Sequence, residues 1–463
     1  MLLTSLLLTS IGVAAADESC WPLAPNSTGG PLKVLKDCPD SRRLSASRKG
    51  LELDFIIEQC SVLADPDILA AGYDLCSIDG GWYGQTTDDY GRVVANETLF
   101  DIPALSEYLH SKGLRLGLYQ KPGVKCEASN KTIFGTNITI SSILTEAVDK
   151  NRNCYFDYDN PNTQIWHNEV IKLWASWGVD MIKLDYMTPG SIVDAGMPSN
   201  LSASAIAYHR AIAKSGRKIQ LDVSSNVCRS EPYWSIWTST ADSIRVDTDI
   251  NSYGNRSIFV QMRQVQRTIE QYRQFVNQQL LEDKPVTLRG NLDNFFVGNP
   301  AAITGVTDNQ RITLQSYWIG ASSNLLIGSD MTNLDALGRY LITSKQSIEA
   351  ADFSAEYPMQ PRNQGSGGNQ ARQLQAWIAG PNKKGEAYVL LSNLGPNLGN
   401  AGFETVGSGN QTVSITLAEL GLRARRYKAK DVWFVSVERV ERKGSLSAIL
   451  GEGESKFLRL APF

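Results

Sequence analysis

Histidine is nearly absent from this chain. Only His110, His167 and His209 occur in 463 residues, far apart, and there is no Cys-x-x-Cys pair, so no zinc site and no other metal or cofactor is expected. Charge of one sign is missing too: 45 Lys plus Arg against 48 Asp plus Glu leave −3, with no long run of either. Nothing invites a nucleic-acid backbone or an anionic membrane through bulk electrostatics. Beyond residue 16 no uncharged stretch approaches the ~20 residues that a spanning helix needs. No Gly-x-Gly-x-x-Gly follows any recognisable strand, which argues against a dinucleotide-binding sheet.

What is present is a large apolar core and an outward address. The 42% hydrophobic fraction suits a globular chain, and 10 Trp with 17 Tyr suit both a big core and sugar recognition. Residues Met1 to Ala16 (MLLTSLLLTSIGVAAA) form a short apolar leader ending in small residues, read as a signal peptide over 1–16. Seven Asn-x-Ser/Thr sequons, at Asn26, Asn96, Asn130, Asn137, Asn200, Asn255 and Asn410, agree with a secreted, extracellular glycoprotein. Cysteines number seven, so at least one thiol stays free. The expected pairs are Cys20 with Cys38, Cys60 with Cys76 and Cys126 with Cys154, leaving Cys228 over.

A repeating unit of helix, glycine and strand organises the first two-thirds. Pro103 to Lys112 reads as a helix capped by Gly113, followed by the buried strand Leu114 to Tyr119. Asn160 is placed to cap a helix with Pro161 at its first position, and Trp166, Val170, Trp174 and Trp177 recur on one face. Gly178 then ends that helix before the strand Val179 to Asp185. Ser202 to Ser215, Gly216 and Ile219 to Val223 repeat the unit, as do Ile68 to Ala71, Gly72 and Tyr73 to Ile78. Further strands are expected at Ser243 to Val246, Val286 to Gly290 and Asn324 to Ile327, and the best candidate for the first strand is Gly30 to Leu35. Such alternation predicts an α/β fold, a (β/α)8 TIM barrel over 17–354. After a GSGG seam at Gly365 to Gly368 the texture changes to short alternating strands at Leu374 to Ile378, Ala387 to Leu391, Thr412 to Thr416, Val432 to Val437 and Phe457 to Leu460. They predict a C-terminal antiparallel β-sandwich domain over 355–463.

In such a barrel the carboxyl ends of the strands build the active site. The polar residues there are Asp79 with Trp82, Tyr119, Lys183 with Asp185, Asp222 with Ser224, Arg245 with Asp249, and Asn291 with Asp293. Singly, each carboxylate reads as a helix N-cap or a solvated loop residue. Together they form a self-repelling ring that requires cations or ligand hydroxyls to offset it. Lys183 and Asp185, two apart on a strand, point to the same space, where Lys183 can hold Asp185 ionised. Two carboxylates in different protonation states, with hydrogen-bonding groups and aromatics around them, are what glycoside cleavage requires.

The stretches YDLCSIDGGW (73–82), Leu114 to Tyr119, WGVDMIKLD (177–185), RVDTDI (245–250), NLDNFFVGN (291–299) and SYWIGASSNLLIGSDM (316–331) resemble, in order and spacing, glycoside hydrolase family 27, the α-galactosidase and α-N-acetylgalactosaminidase family. The resemblance covers roughly residues 50 to 350. It implies that Asp185 is the nucleophile and Asp249 the general acid/base of a retaining double displacement, and that Asp249 needs a raised pKa to begin as an acid. It also implies that Asp79, Tyr119, Lys183, Arg245 and Asp293 line the sugar pocket, and the strand-end residues Trp82 and Ser224 are expected to join them in binding substrate. The expected substrate is an oligosaccharide or polysaccharide with a terminal α-linked sugar, most simply galactose.

This sequence departs from the family pattern in three places. Gly80 stands where many members carry a second acid, Val223-Ser224-Ser225 stands where a Cys-Glu-Trp segment is usual, and no Gly-Trp-Asn-Ser-Trp stretch marks the first strand. Gly80 favours a β-L-arabinopyranosidase, since arabinopyranose lacks the hydroxymethyl that Gly80 cannot bind. The small Ser224 favours an α-N-acetylgalactosaminidase. A catalytically silent carbohydrate-binding homologue is the alternative of another class, opposed by the retention of Lys183, Asp185, Arg245 and Asp249. Gly80 also has a plainer reading, as a tight turn of positive φ with Gln85 or Asp88 replacing the missing acceptor.

Overall fold

The computed structural model describes residues 42–46, 53–191, 194–252, 257–281, 286, 288–362, 371–399, 403–423 and 425–463. Eight parallel strands build the barrel: β1 (Arg42–Ala46), β2 (Tyr73–Ile78), β3 (Arg115–Gln120), β4 (Met181–Leu184), β5 (Gln220–Val223), β6 (Ser243–Arg245), β7 in two segments (Arg289–Asn291 and Asn294–Phe295) and β8 (Leu325–Ile327). The first segment of β7 pairs with β6 and the second with β8, while β8 pairs with β1. The interruption at Leu292 and Asp293 therefore sits inside a strand that closes the ring.

The first strand is the main correction to the sequence reading. It lies at Arg42–Ala46, pairing β2 and β8, rather than at Gly30 to Leu35, which fall outside the described residues. Helices follow each strand: α1 (Leu53–Ser61), α2 (Ile102–Ser111), α3 (Thr163–Ser176), α4 (Ser202–Ser215), α5 (Tyr233–Thr240), α6 (Met262–Leu281), α7 (Asp308–Gly320), then α8 (Ala336–Thr343) and α9 (Lys345–Glu356). Asp101 caps α2 by accepting from the Ala104 N–H at 3.0 Å, with Pro103 in the first turn. For α3 the expected Asn160 cap is displaced. Asn160 Oδ1 instead accepts from the Asn162 N–H at 3.0 Å in a turn that precedes the helix, which starts at Thr163. Trp166, Val170 and Trp174 are fully buried on its inner face, as their spacing requires.

Beyond α9 the chain forms a six-stranded antiparallel sheet, ordered Gln360–Pro361, Leu374–Ala379, Ala387–Asn393, Glu454–Pro462, Tyr427–Asp431 and Val437–Val440. A two-stranded sheet, Gln411–Thr416 with Ser445–Leu450, faces it across a core of Val389, Leu391, Val413, Ile415, Leu446 and Leu458. The strand expected at Val432 to Val437 is instead the turn between Tyr427–Asp431 and Val437–Val440. Asp431 Oδ1 accepts from the N–H groups of Trp433 and Phe434 at 2.9 and 3.1 Å, which folds the chain back there.

Every residue of Ala387–Asn393 is buried, although the strand is antiparallel. Its odd positions, Val389 and Leu391, face the sandwich core, while Tyr388 and Leu390 belong to the barrel's core cluster. Opposite them runs α7, opened by a Thr307–Gln310 capping box and buried from Arg311 to Gly320. Polar ties cross that seam: Tyr317 Oη lies 2.7 Å from Ser392 Oγ, and Trp433 Nε1 donates to Ser316 Oγ at 2.8 Å.

Two of the expected disulfides are present, Cys60–Cys76 and Cys126–Cys154. Cys228, expected to be left over, is also disulfide-bonded, which overturns the reading of it as the free thiol. Cys20 and Cys38 lie outside the described residues. Among the described residues no helix is long and apolar enough to cross a membrane.

Candidate active site

Strand register gathers the candidate residues. Tyr119 of β3 stands opposite Lys183 of β4, Lys183 opposite Asp222 of β5, and Arg245 of β6 opposite Asn291 of β7. Because side chains on paired positions share a face, these groups converge at the carboxyl end of the barrel.

Two cations organise the carboxylates. Lys183 Nζ donates to Asp79 Oδ2 at 2.7 Å, and the other oxygen of Asp79 accepts from the Gly80 N–H at 2.7 Å. The Lys183 ammonium therefore goes to Asp79 rather than bonding Asp185, as the two-residue spacing had suggested. Burial works against the charge on Lys183, but attraction from Asp79 and then Asp185 outweighs it and holds its pKa above the ordinary lysine value. Arg245, buried to 2% exposure, places one guanidinium nitrogen 2.9 Å from Asp293 Oδ2 and 3.1 Å from Asp249 Oδ1. Its pKa is likewise raised, with burial opposed by Asp293 and Asp249.

The carboxylates consequently differ in kind. Asp293 is buried beneath Arg245 and also accepts from the Ile250 N–H at 2.9 Å. Burial pushes its carboxyl upward, Arg245 pulling the other way. Asp249 is 44% exposed and touches Arg245 from the open side. Asp185 makes no direct ion pair among the described residues; it accepts from the Tyr186 N–H at 2.8 Å and lies in the field of Lys183 and Arg245. Tyr186 and Asp293 both adopt positive φ, 58° and 72°, uncommon for residues with side chains and concentrated where a site imposes its geometry.

Asp79, Lys183, Asp185, Arg245, Asp249 and Asp293 are thus brought together. Tyr119 joins them, 4% exposed, with Lys183 Nζ 5.2 Å from its ring centroid. Trp82 and Ser224 depart from expectation. Trp82 is fully buried: Gly81 takes φ 119° and turns it inward, where it meets Trp174 and Trp177 edge-on and donates to the Tyr119 carbonyl at 2.7 Å. It braces Tyr119 from behind. Ser224 is also fully buried, its backbone tying β4 to the next loop through Leu184 and Met187. Asp222 serves structure as well, accepting from Ser243 Oγ at 2.5 Å and Asn291 Nδ2 at 2.9 Å.

Gly80 itself does not have positive φ; Gly81 does. A Cβ at residue 80 would meet the Tyr119 ring at 3.4 Å, ordinary van der Waals contact. Asp88 does not replace the missing acceptor, because it pairs with Arg92 at 2.7 Å in its own hairpin. Sequence reasoning missed Tyr83, whose ring stacks on Tyr119 at 6.4 Å, together with Tyr186 and Lys121. The Tyr83 hydroxyl is pushed up to about 12 by burial and then by Asp79 and Asp185.

A (β/α)8 barrel whose strand ends hold two differently supported carboxylates between two cations is the framework of a glycoside hydrolase. A family model described as α-galactosidase A (Melibiase_2) matches residues 37–162. A protein of Emericella nidulans provisionally named α-galactosidase 8 is 64% identical over 375 residues, 80% of this chain and 74% of its own length. α-Galactosidase 3 of Hypocrea jecorina is 45% identical over 471 residues, 95% of this chain and 75% of its own. Among solved structures, a glycoside hydrolase family 27 β-L-arabinopyranosidase of Geobacillus stearothermophilus superposes with a TM-score of 0.76 over 97% of this chain and 100% of that one; at 17% identity it speaks for the fold. The chain belongs to glycoside hydrolase family 27, the α-galactosidase family.

Proposed function

We propose that the protein removes terminal α-linked galactose from oligosaccharides or polysaccharides by a retaining double displacement. The observation that carries this reading is the unequal support of two carboxylates at one barrel mouth: among the described residues Asp185 has no direct ion pair and lies beside two cations that are each engaged elsewhere, whereas Asp249 is 44% exposed and 3.1 Å from Arg245. Asp185 attacks the anomeric carbon while Asp249 protonates the departing oxygen; Asp249 then deprotonates the water that releases the sugar. Asp79 and Lys183 bind sugar hydroxyls, Tyr119 walls the pocket, and Asp293 positions Arg245. Nucleophilic and acid–base chemistry between two carboxylates needs no cofactor.

The catalytic barrel spans 17–354 and the sandwich 355–463, behind a cleaved leader at 1–16. Secretion is supported by the disulfides and by sequon asparagines Asn130, Asn137, Asn200 and Asn410, which are exposed.

The test is hydrolysis of an aryl α-galactoside followed by NMR, with α-galactose as the first product. Asp185→Asn should abolish turnover and leave the thermal midpoint nearly unchanged, because the amide matches the carboxylate in shape. A first-formed β-anomer, or a folded Asp185→Asn variant with full activity, overturns the reading. The absence of a side chain at Gly80, next to Asp79 and with room for a Cβ against the Tyr119 ring, favours a second reading, β-L-arabinopyranosidase, which predicts comparable kcat/KM for the α-galactoside and the β-L-arabinopyranoside.

A further inference from the structure

Beside the reaction centre lies a cavity of about 360 Å³ that the double displacement does not use. Thr86, Thr87, Lys121, Lys125 and Asn153 are among the residues lining it, and among the described residues no carboxylate does. Lys121 sits half-buried with its ammonium 3.5 Å from the centroid of the Tyr186 ring, and it has no direct ion pair among the described residues. Burial draws its pKa down, against attraction from Asp185, Asp194 and Asp149. Among the described residues Lys125 Nζ donates to the Asn151 carbonyl, at 3.3 Å, and has no ion pair. A cation partly withdrawn from water with no directly paired carboxylate is costly, and an entering anion relieves that cost.

Position decides what the anion is attached to. The cavity is built from the segments that follow β2 and β3, whereas Asp249, which faces the leaving group, follows β6. Cavity and leaving group therefore lie on different sides of the sugar pocket. Between Asp79 and the cavity the chain presents Gly80 and Gly81, two residues without side chains, and Gly81 lines the cavity. Tyr83 borders both spaces, lining the cavity while its ring stacks on Tyr119. A group on the exocyclic carbon of the bound sugar, the carbon that Gly80 leaves ungripped, has open passage there.

We propose that this cavity receives a negatively charged oxygen group, a sulfate ester or a carboxylate, on the exocyclic carbon of the terminal sugar, bound by Lys121 and Lys125. The enzyme would then accept acidic galactosyl units as well as neutral ones. This rests on the galactose reading above.

Titration calorimetry of the wild-type protein with galactose, galactose 6-sulfate and galacturonic acid tests it. At least one acidic sugar should bind roughly tenfold or more tightly than galactose, the gain expected of a charge-assisted contact. Which acid gains distinguishes sulfate from carboxylate. In the Lys121→Gln, Lys125→Gln double variant the ratio of acidic to neutral affinity should fall to about one. The galactose titration reports in the same experiment that the variant is folded. Acidic sugars no tighter than galactose, or a preference that survives in the double variant, overturn the proposal. Failure of the galactosidase reading shows separately, as absent turnover of the neutral aryl α-galactoside.

Discussion

At the scale of single residues, the site is distinguished by how each carboxylate is neutralised. Asp249 is 44% exposed and 3.1 Å from Arg245, an accessible position that suits a group that must give and take a proton. For Asp249→Ala, poor leaving groups should lose far more rate than activated aryl glycosides, and external azide should restore part of the turnover. Equal losses with no azide rescue count against the acid/base role. Gly80 is the second test position. Its backbone lies outside the left-handed region and a Cβ there makes only ordinary contact with Tyr119, so Gly80→Asp should fold with a stability change within about 1 kcal/mol. The added carboxylate should shift kcat/KM towards the α-galactoside by about tenfold relative to the β-L-arabinopyranoside. A wild type that already prefers the galactoside by several orders of magnitude would mean that the hydroxymethyl has another partner.

At the scale of elements, α3 carries an acid-sensitive joint. His167 is fully buried among Phe156, Trp166, Tyr158 and Tyr208, with Nδ1 2.9 Å from the Thr163 carbonyl, and burial lowers its pKa to about 4. Since the unfolded chain binds that proton near 6.5 and the folded chain only near 4, stability is complete above pH 6.5 and falls as pH drops from 6.5 to 4. His167→Gln should melt lower at pH 7, having lost packing, yet show a shallower fall in thermal midpoint between pH 6.5 and 4. An unchanged slope sinks the assignment. The units of helix, glycine and strand were legible because their signals are local: Gly113, Gly178 and Gly216 all adopt positive φ where helices give way to strands. The first strand was not, because Arg42 and Arg43 give it no apolar run to recognise. The proposed catalytic residues were legible as strand-end polar groups, yet the inward direction of Trp82 was not, because a turn at Gly81 decides it. Tyr83, Lys121 and Tyr186 escaped notice because they sit in loops and a hairpin, where no periodicity marks them.

At the scale of the whole molecule, barrel and sandwich share a hydrophobic core through α7 and the strand Ala387–Asn393. Deleting residues 355–463 should expose Thr313, Ser316 and Tyr317 on the sandwich-facing side of α7, yielding a chain that aggregates rather than a free-standing barrel. The intact protein should melt in one cooperative transition; two well-separated calorimetric peaks would show the units to be independent. That doubly covered strand also constrains how the gene can recombine. A crossover just after Glu356 would join this barrel to a foreign sandwich with no surface matched to Ser316 and Tyr317. A crossover upstream of Asp308 would carry both mating faces together, so functional hybrids of this lineage should break there and keep the end of the barrel with its own sandwich.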